Sequence, residues 1–117
     1  MTSPSITTWQ KIDDAECRRA AGVLELVGRR WSGAIMLAIA RGTERFTEIA
    51  ASVQDLSDRM LSLRLRELEE AGLVDRIVRP TTPVSVLYRL SPRGRDLLSS
   101  LQPIAGYAHR WEPPLDE

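Results

Sequence analysis

One cysteine, one histidine and one lysine are present in 117 residues, and each scarcity removes a class of function. A lone cysteine excludes an internal disulfide framework. Cys17 and His109 stand apart, and no group of residues has metal-ligand spacing. No glycine-rich phosphate loop is present. No apolar run approaches the roughly 18 residues of a membrane span, and Met1 to Lys11 lacks the apolar stretch of a signal peptide. Net charge is also missing: 16 basic residues face 16 acidic ones. These absences predict a cytoplasmic chain with no cofactor, no metal and no membrane partner, and a non-enzymatic one. The carboxylates are scattered or lie on polar helix faces such as Glu67, Glu69 and Glu70.

What is present fits one domain with one core. The division we expect is a partly flexible arm over residues 1–14, a folded domain over 15–112 and a tail over 113–117. Charge is uneven along the chain. Between Ser57 and Arg95 the arginines at 59, 64, 66, 76, 79, 89, 93 and 95 outnumber Asp58, Glu67, Glu69, Glu70 and Asp75. Both ends are acidic. A modest basic face is therefore compatible with overall neutrality.

The apolar periodicity predicts a mostly helical chain. A first helix over Asp14–Val27 carries Cys17, Ala20, Ala21, Leu24 and Val27 on one side, widened by Val23 and Leu26. Gly28-Arg29-Arg30 ends it. A second, over Trp31–Ala40, is apolar almost all round and reads as the central helix of the core. A short extended piece at Arg45-Phe46 precedes a third helix over Thr47–Val53, with Thr47 as N-cap and Phe46, Ile49 and Ala50 inward. Leu61, Leu65 and Leu68 recur at i, i+4 and i+7 in a fourth helix, with Ser57 as N-cap and Gly72 as stop. Strands follow at Val74–Arg79 and Val86–Leu90, joined by a Pro80–Pro83 tip. Ser91-Pro92 starts a last helix running to Arg110, kinked near Gln102 by Pro103.

A helix-turn-helix followed at once by a β-hairpin is the order of a winged helix-turn-helix: α+β, mostly α, in the sequence α-α-α-α-β-hairpin-α. In that fold the fourth helix enters the DNA major groove and the hairpin is the wing. Its outward face holds Ser57, Asp58, Arg59, Ser62, Leu63 and Arg66. Short polar groups near a helix N-terminus reach base edges, and arginines reach guanine or phosphate. Arg59 suits either guanine or phosphate. Asp58 is a cytosine acceptor or, on our preferred reading, a charge that suits the helix start. Arg66 is placed for phosphate, and Arg64 for pairing within the helix. Arg45 and Thr47 hold phosphate at the start of the third helix or are only a surface arginine and a cap. In the wing, Arg79, Ser85 and Arg89 are candidates for the flanking backbone or minor groove. Taken alone, a charged helix with a leucine stripe is usually just a solvated surface helix. The order of its neighbours is what favours DNA.

With the elements placed, the chain resembles the HxlR-type (DUF24) family of bacterial winged helix-turn-helix transcriptional regulators. Leu26-Val27-Gly28-Arg29-Arg30-Trp31, Arg45-Phe46-Thr47-Glu48-Ile49, the helix from Leu56 to Glu69, Gly72-Leu73-Val74 and the wing from Arg79 to Gly94 carry the likeness. It spans about Cys17 to Trp111. The resemblance implies a homodimer joined through the first and last helices, with Ala20, Ala21, Leu24, Leu97, Leu101, Ile104, Ala108 and Trp111 at the interface. The excess apolar surface of those two helices independently asks for such a partner. It also implies double-stranded DNA with a palindromic operator as ligand, half-sites about one turn apart. Redox-sensing members place a reactive cysteine thirteen residues before the tryptophan; here Arg18 fills that place and Cys17 lies one residue earlier. Arg18 and Arg19 favour a thiolate at Cys17, while Asp14 and Glu16 oppose it. Cys17 is thus a candidate redox sensor or a small packing residue. Two alternatives stand: a winged-helix protein-interaction module without DNA, and a small-molecule-sensing regulator whose effector sits among Trp31, Tyr107, Trp111 and Trp9 at the interface.

Overall fold

The computed structural model describes residues 9–115, and most of the expected N-terminal arm lies outside them. From Asp14 onward the order is α1 (Asp14–Gly28), α2 (Ser32–Ala40), α3 (Phe46–Ser52), α4 (Asp58–Glu70), β1 (Val74–Arg79), β2 (Ser85–Leu90), α5 (Pro92–Leu101) and α6 (Pro103–Trp111). This is a winged helix-turn-helix, helical apart from the antiparallel β1–β2 hairpin, whose register runs from Val74 opposite Leu90 to Arg79 opposite Ser85.

The core sits where α2, α3, α4 and the root of the wing meet. Ile35, Met36 and Ile39 of α2 share it with Ile49, Leu61, Leu65, Leu68, Leu73, Val74 and Leu90. Fully burying a leucine stabilises by roughly 1.5–3 kcal/mol. The three leucines of α4 therefore outweigh any propensity of that charged helix. Its start is capped as its sequence predicts: the Ser57 hydroxyl accepts the Met60 N–H at 3.1 Å. Its end is Ala71 followed by Gly72 at φ +77°, a left-handed conformation that glycine adopts without strain.

Several local expectations need correction. Thr47 does not cap α3. The helix begins at Phe46, Arg45 is the N-cap residue, and the Glu48 carboxylate reaches back to the Arg45 N–H at 3.2 Å. A glutamate three residues into a helix satisfies an otherwise orphan donor, which lets the helix start one residue early. Consequently Arg45-Phe46 forms no strand. The backbone contact to the wing comes instead from Glu44, its carbonyl accepting the Tyr88 N–H at 2.7 Å. Trp31 is the N-cap of α2, not its first residue, and sits at φ +79°. Nor is α2 buried all round: Leu37 is 55 % exposed. The last helix is interrupted rather than merely kinked. Pro103 has no N–H to give, so α5 ends at Leu101 and α6 restarts after Gln102.

A tight corner joins the wing to both flanking helices. The Ser91 hydroxyl donates to the Gly72 carbonyl at 2.6 Å and accepts the Gly94 N–H at 3.0 Å. The Ser91 N–H donates to the Leu73 carbonyl at 3.0 Å. Gly94 is buried here, and a Cβ at that position would lie 2.1 Å from the Leu73 carbonyl oxygen. Since that obstacle is backbone, Gly94→Ala is expected to destabilise the fold by about 2–3 kcal/mol, read as a lower urea midpoint at unchanged m-value.

Candidate nucleic-acid interface

Burial of Leu61, Leu65 and Leu68 leaves the opposite side of α4 bare. Ser57, Asp58, Arg59, Ser62, Leu63 and Arg66 are all exposed. Together with Met60, which our sequence reading passed over, five of them line one concavity: Ser57, Arg59, Ser62, Leu63 and Arg66. Met60 points both ways, being half-buried against the core. Among the described residues the ion pairs engage Arg29, Arg64 and Arg89 but neither Arg59 nor Arg66.

Beside this face, the start of α3 and the wing converge. The Arg45 guanidinium donates through Nη1 to Ser85 Oγ at 2.9 Å. Ser85 is paired across the hairpin with Arg79. Arg45, Ser85 and Arg79 thus form one basic cluster at the outer end of the wing. Thr47 lies exposed in the first turn of α3. Arg89 is not part of that cluster: its Nε pairs with the Glu44 carboxylate at the root of β2.

Behind the face lies a network that the sequence did not reveal. Glu67 accepts from two arginines at once, Arg64 Nη1 at 2.8 Å and Arg29 Nη1. Arg64 also donates through Nε to the Arg30 carbonyl at 2.8 Å. The Arg30 guanidinium in turn stacks 4.7 Å from the centre of the Trp31 ring. The Arg64–Glu67 spacing of three is readable in a helix. The Arg29 partner, 38 residues away, is not.

The interface residues expected at the two ends divide. Leu24, Ile104 and Trp111 are 59 %, 56 % and 72 % exposed, while Leu97 packs partly against the chain's own core. Ala21 is exposed, and Ala20, Leu101 and Ala108 are half-buried. Among the aromatic residues, Trp31 packs on the core, whereas Trp9 and Tyr107 are exposed. Cys17 is free and exposed in the first turn of α1.

Comparison with known proteins settles the family. Residues 26–116 match the model described as HxlR-like helix-turn-helix. The chain belongs to the HxlR-like helix-turn-helix family. Among its HxlR-like relatives, the uncharacterized HTH-type transcriptional regulator YvaP of Bacillus subtilis is 39% identical over 98 residues, 84% of this chain and 91% of YvaP. The reduced form of the transcriptional regulator YodB from B. subtilis superposes with a TM-score of 0.74 at 36% identity, covering 84% of this chain and 96% of that one. YodB is also known diamide-treated and quinone-bound. The redox regulator HypR in its oxidized form gives 0.73 at 29% identity, covering 82% and 99%. The family is one of transcriptional regulators. Among the described residues no helix is long and apolar enough to cross a membrane.

The paired Glu67 has a pH consequence. The Arg29 hydrogen bond, helped by the charge of Arg64, outweighs partial burial and holds its carboxyl below the ordinary value of 4.5. A depressed carboxylate stabilises the fold above the unfolded value, and that contribution is lost as pH falls through the lowered folded value. The difference in melting temperature between wild type and Glu67→Gln should therefore be present at pH 7 and shrink below about pH 4.5, as followed by thermal denaturation. Exposure of Arg29 keeps the difference small and salt-sensitive.

Proposed function

We propose that this chain is a sequence-specific, DNA-binding transcriptional regulator that acts in the cytoplasm as a homodimer on a palindromic operator. The observation that carries the reading is the bare face of α4: Arg59, Ser62 and Arg66 stand in one row on a helix whose other side is locked into the core, and neither arginine has an ion pair among the described residues. Arg59 and Ser62 lie in the first two turns, where side chains meet base edges, and Arg66 follows toward phosphate. The Arg45–Ser85–Arg79 cluster offers a second, flanking contact to the backbone. Dimerisation is supported by α1, which has no buried residue, and by the exposed Ile104, Tyr107 and Trp111 of α6. Two such apolar helices at the ends of one small chain want a second copy.

Arg59→Ala is expected to weaken binding to the operator by about 1–3 kcal/mol, while binding to random duplex changes little. A mobility shift with the chain's own upstream region measures both. Equal loss on both duplexes makes Arg59 a phosphate contact, and no shift of any duplex leaves the protein-interaction alternative.

Exposure of Cys17 favours a redox-responsive form of the same function. Moving a residue one place along a helix turns its side chain by about 100°. Position 17 therefore shares the stripe of Ala20, Ala21 and Leu24, and Arg18 does not. A thiol on that stripe faces the proposed dimer partner. A quinone adds to one such thiolate, and diamide oxidises two thiols to a disulfide, which here has to join two chains. Either reagent should change operator affinity of wild type and leave Cys17→Ser unmoved; a Cys17→Ser protein that responds like wild type removes Cys17 from the mechanism.

A further inference from the structure

The Glu67 network combines a largely covered pair, Arg64–Glu67, with the exposed Arg29, whose pairing alone provides little stability. It ties together two parts of the molecule that each pack on α2. One is α1, none of whose residues is fully buried and of which only Ala20, Leu26 and Val27 are half-buried. The other is α4, whose face carries the proposed DNA contacts. Between α1 and α2 the chain runs through Gly28, an extended Arg29 at φ −61°, ψ 140°, and Trp31 at φ +79°. Beyond that joint α1 packs on α2 and Leu26 reaches the core, and the Glu67 network adds a further tie.

We propose that Glu67 is a positioning residue for operator spacing: by gripping Arg29 and Arg64 together, it fixes the angle between α1 and α4. The proposal rests on the dimeric DNA-binding function above. Arg29 leaves the end of α1, and Arg64 holds the next carbonyl of the same segment, that of Arg30. The cation–π stack of Arg30 on Trp31 stiffens the turn that follows. Both carboxylate oxygens are used, one for each arginine, so the two guanidinium groups cannot shift independently.

Geometry gives the angle its consequence. A 15-residue helix such as α1 is about 22 Å long. A tilt of about 10° moves its far end by about 4 Å, on the order of the 3.4 Å rise of one base pair. If α1 contributes to the dimer contact, that tilt appears as a change in the separation of the two α4 helices. Looser control of the angle therefore relaxes the discrimination between half-site spacings without removing any contact to DNA.

Two measurements on the full chain test this. In a Cys17→Ser background, spin labels at Arg18→Cys and Glu70→Cys, diluted with unlabelled chain, report the α1–α4 distance. A narrow distribution is expected with Glu67 and a broad one with Glu67→Gln; an equally narrow one overturns the proposal whether or not the protein binds DNA. Mobility shifts then compare the operator with versions whose half-sites are one base pair closer or farther apart. Wild type should prefer its own spacing by roughly tenfold or more, and Glu67→Gln should lose most of that preference with random-duplex affinity nearly unchanged. Uniform weakening on every duplex, or an unchanged spacing profile, overturns it as well. Failure of wild type to shift any duplex counts against the DNA-binding function itself, and the spin-label distances still decide the grip of Glu67 on α1.

Discussion

Everything on the exposed side of α4 depends on how that helix is rotated, and three leucines set the rotation. Leu61, Leu65 and Leu68 are at most 1 % exposed. They lie against α2, whose Ile35 and Met36 are completely buried. Turning α4 by one residue would expose all three and bury charged groups instead, at a cost of several kcal/mol. The row of Arg59, Ser62 and Arg66 is therefore held outward by the core beneath it, not by contacts of its own. That suits a face whose partners come from another molecule.

The same logic explains which features the sequence disclosed. Periodicity and capping are local, and they located α4, Gly72, β1 and the place, though not the extent, of the disruption at Pro103. The winged helix-turn-helix order and the family likeness followed from those elements. What stayed hidden were side chains that reach across a boundary that propensity does not register. Glu48 satisfied the Arg45 N–H and moved the start of α3 past Thr47. Glu44 pairs with Arg89 through its carboxylate and accepts the Tyr88 amide through its carbonyl, contacts at the root of the wing that no local pattern marks. Glu67 found Arg29 across 38 residues. Each of these partners is distant in sequence or unmarked by any pattern, so only the fold brings it into view.

The terminal helices show a different balance. Within one chain α1 buries no residue, and α6 leaves Ile104, Tyr107 and Trp111 more than half exposed. Leu97 and Leu98, by contrast, already pack against the core. The last helical segment thus changes character at Gln102: its first half belongs to the domain and its second half extends beyond it. Pro103 marks that change, because the interrupted hydrogen-bond ladder lets α6 take a direction that α5 does not dictate.

The corner at Ser91 also bears on how the wing can vary over evolutionary time. Gly72 and Ser91 are bonded to each other beneath the hairpin, as are Leu73 and the Ser91 amide. The 18 residues between them form a loop closed at its base, and lengthening such a loop adds little entropic cost. Insertions or deletions at the exposed tip leave α4 and α5 where they are. The tip is therefore free to grow or shrink, while Val74 and Leu90 at the base stay anchored in the core.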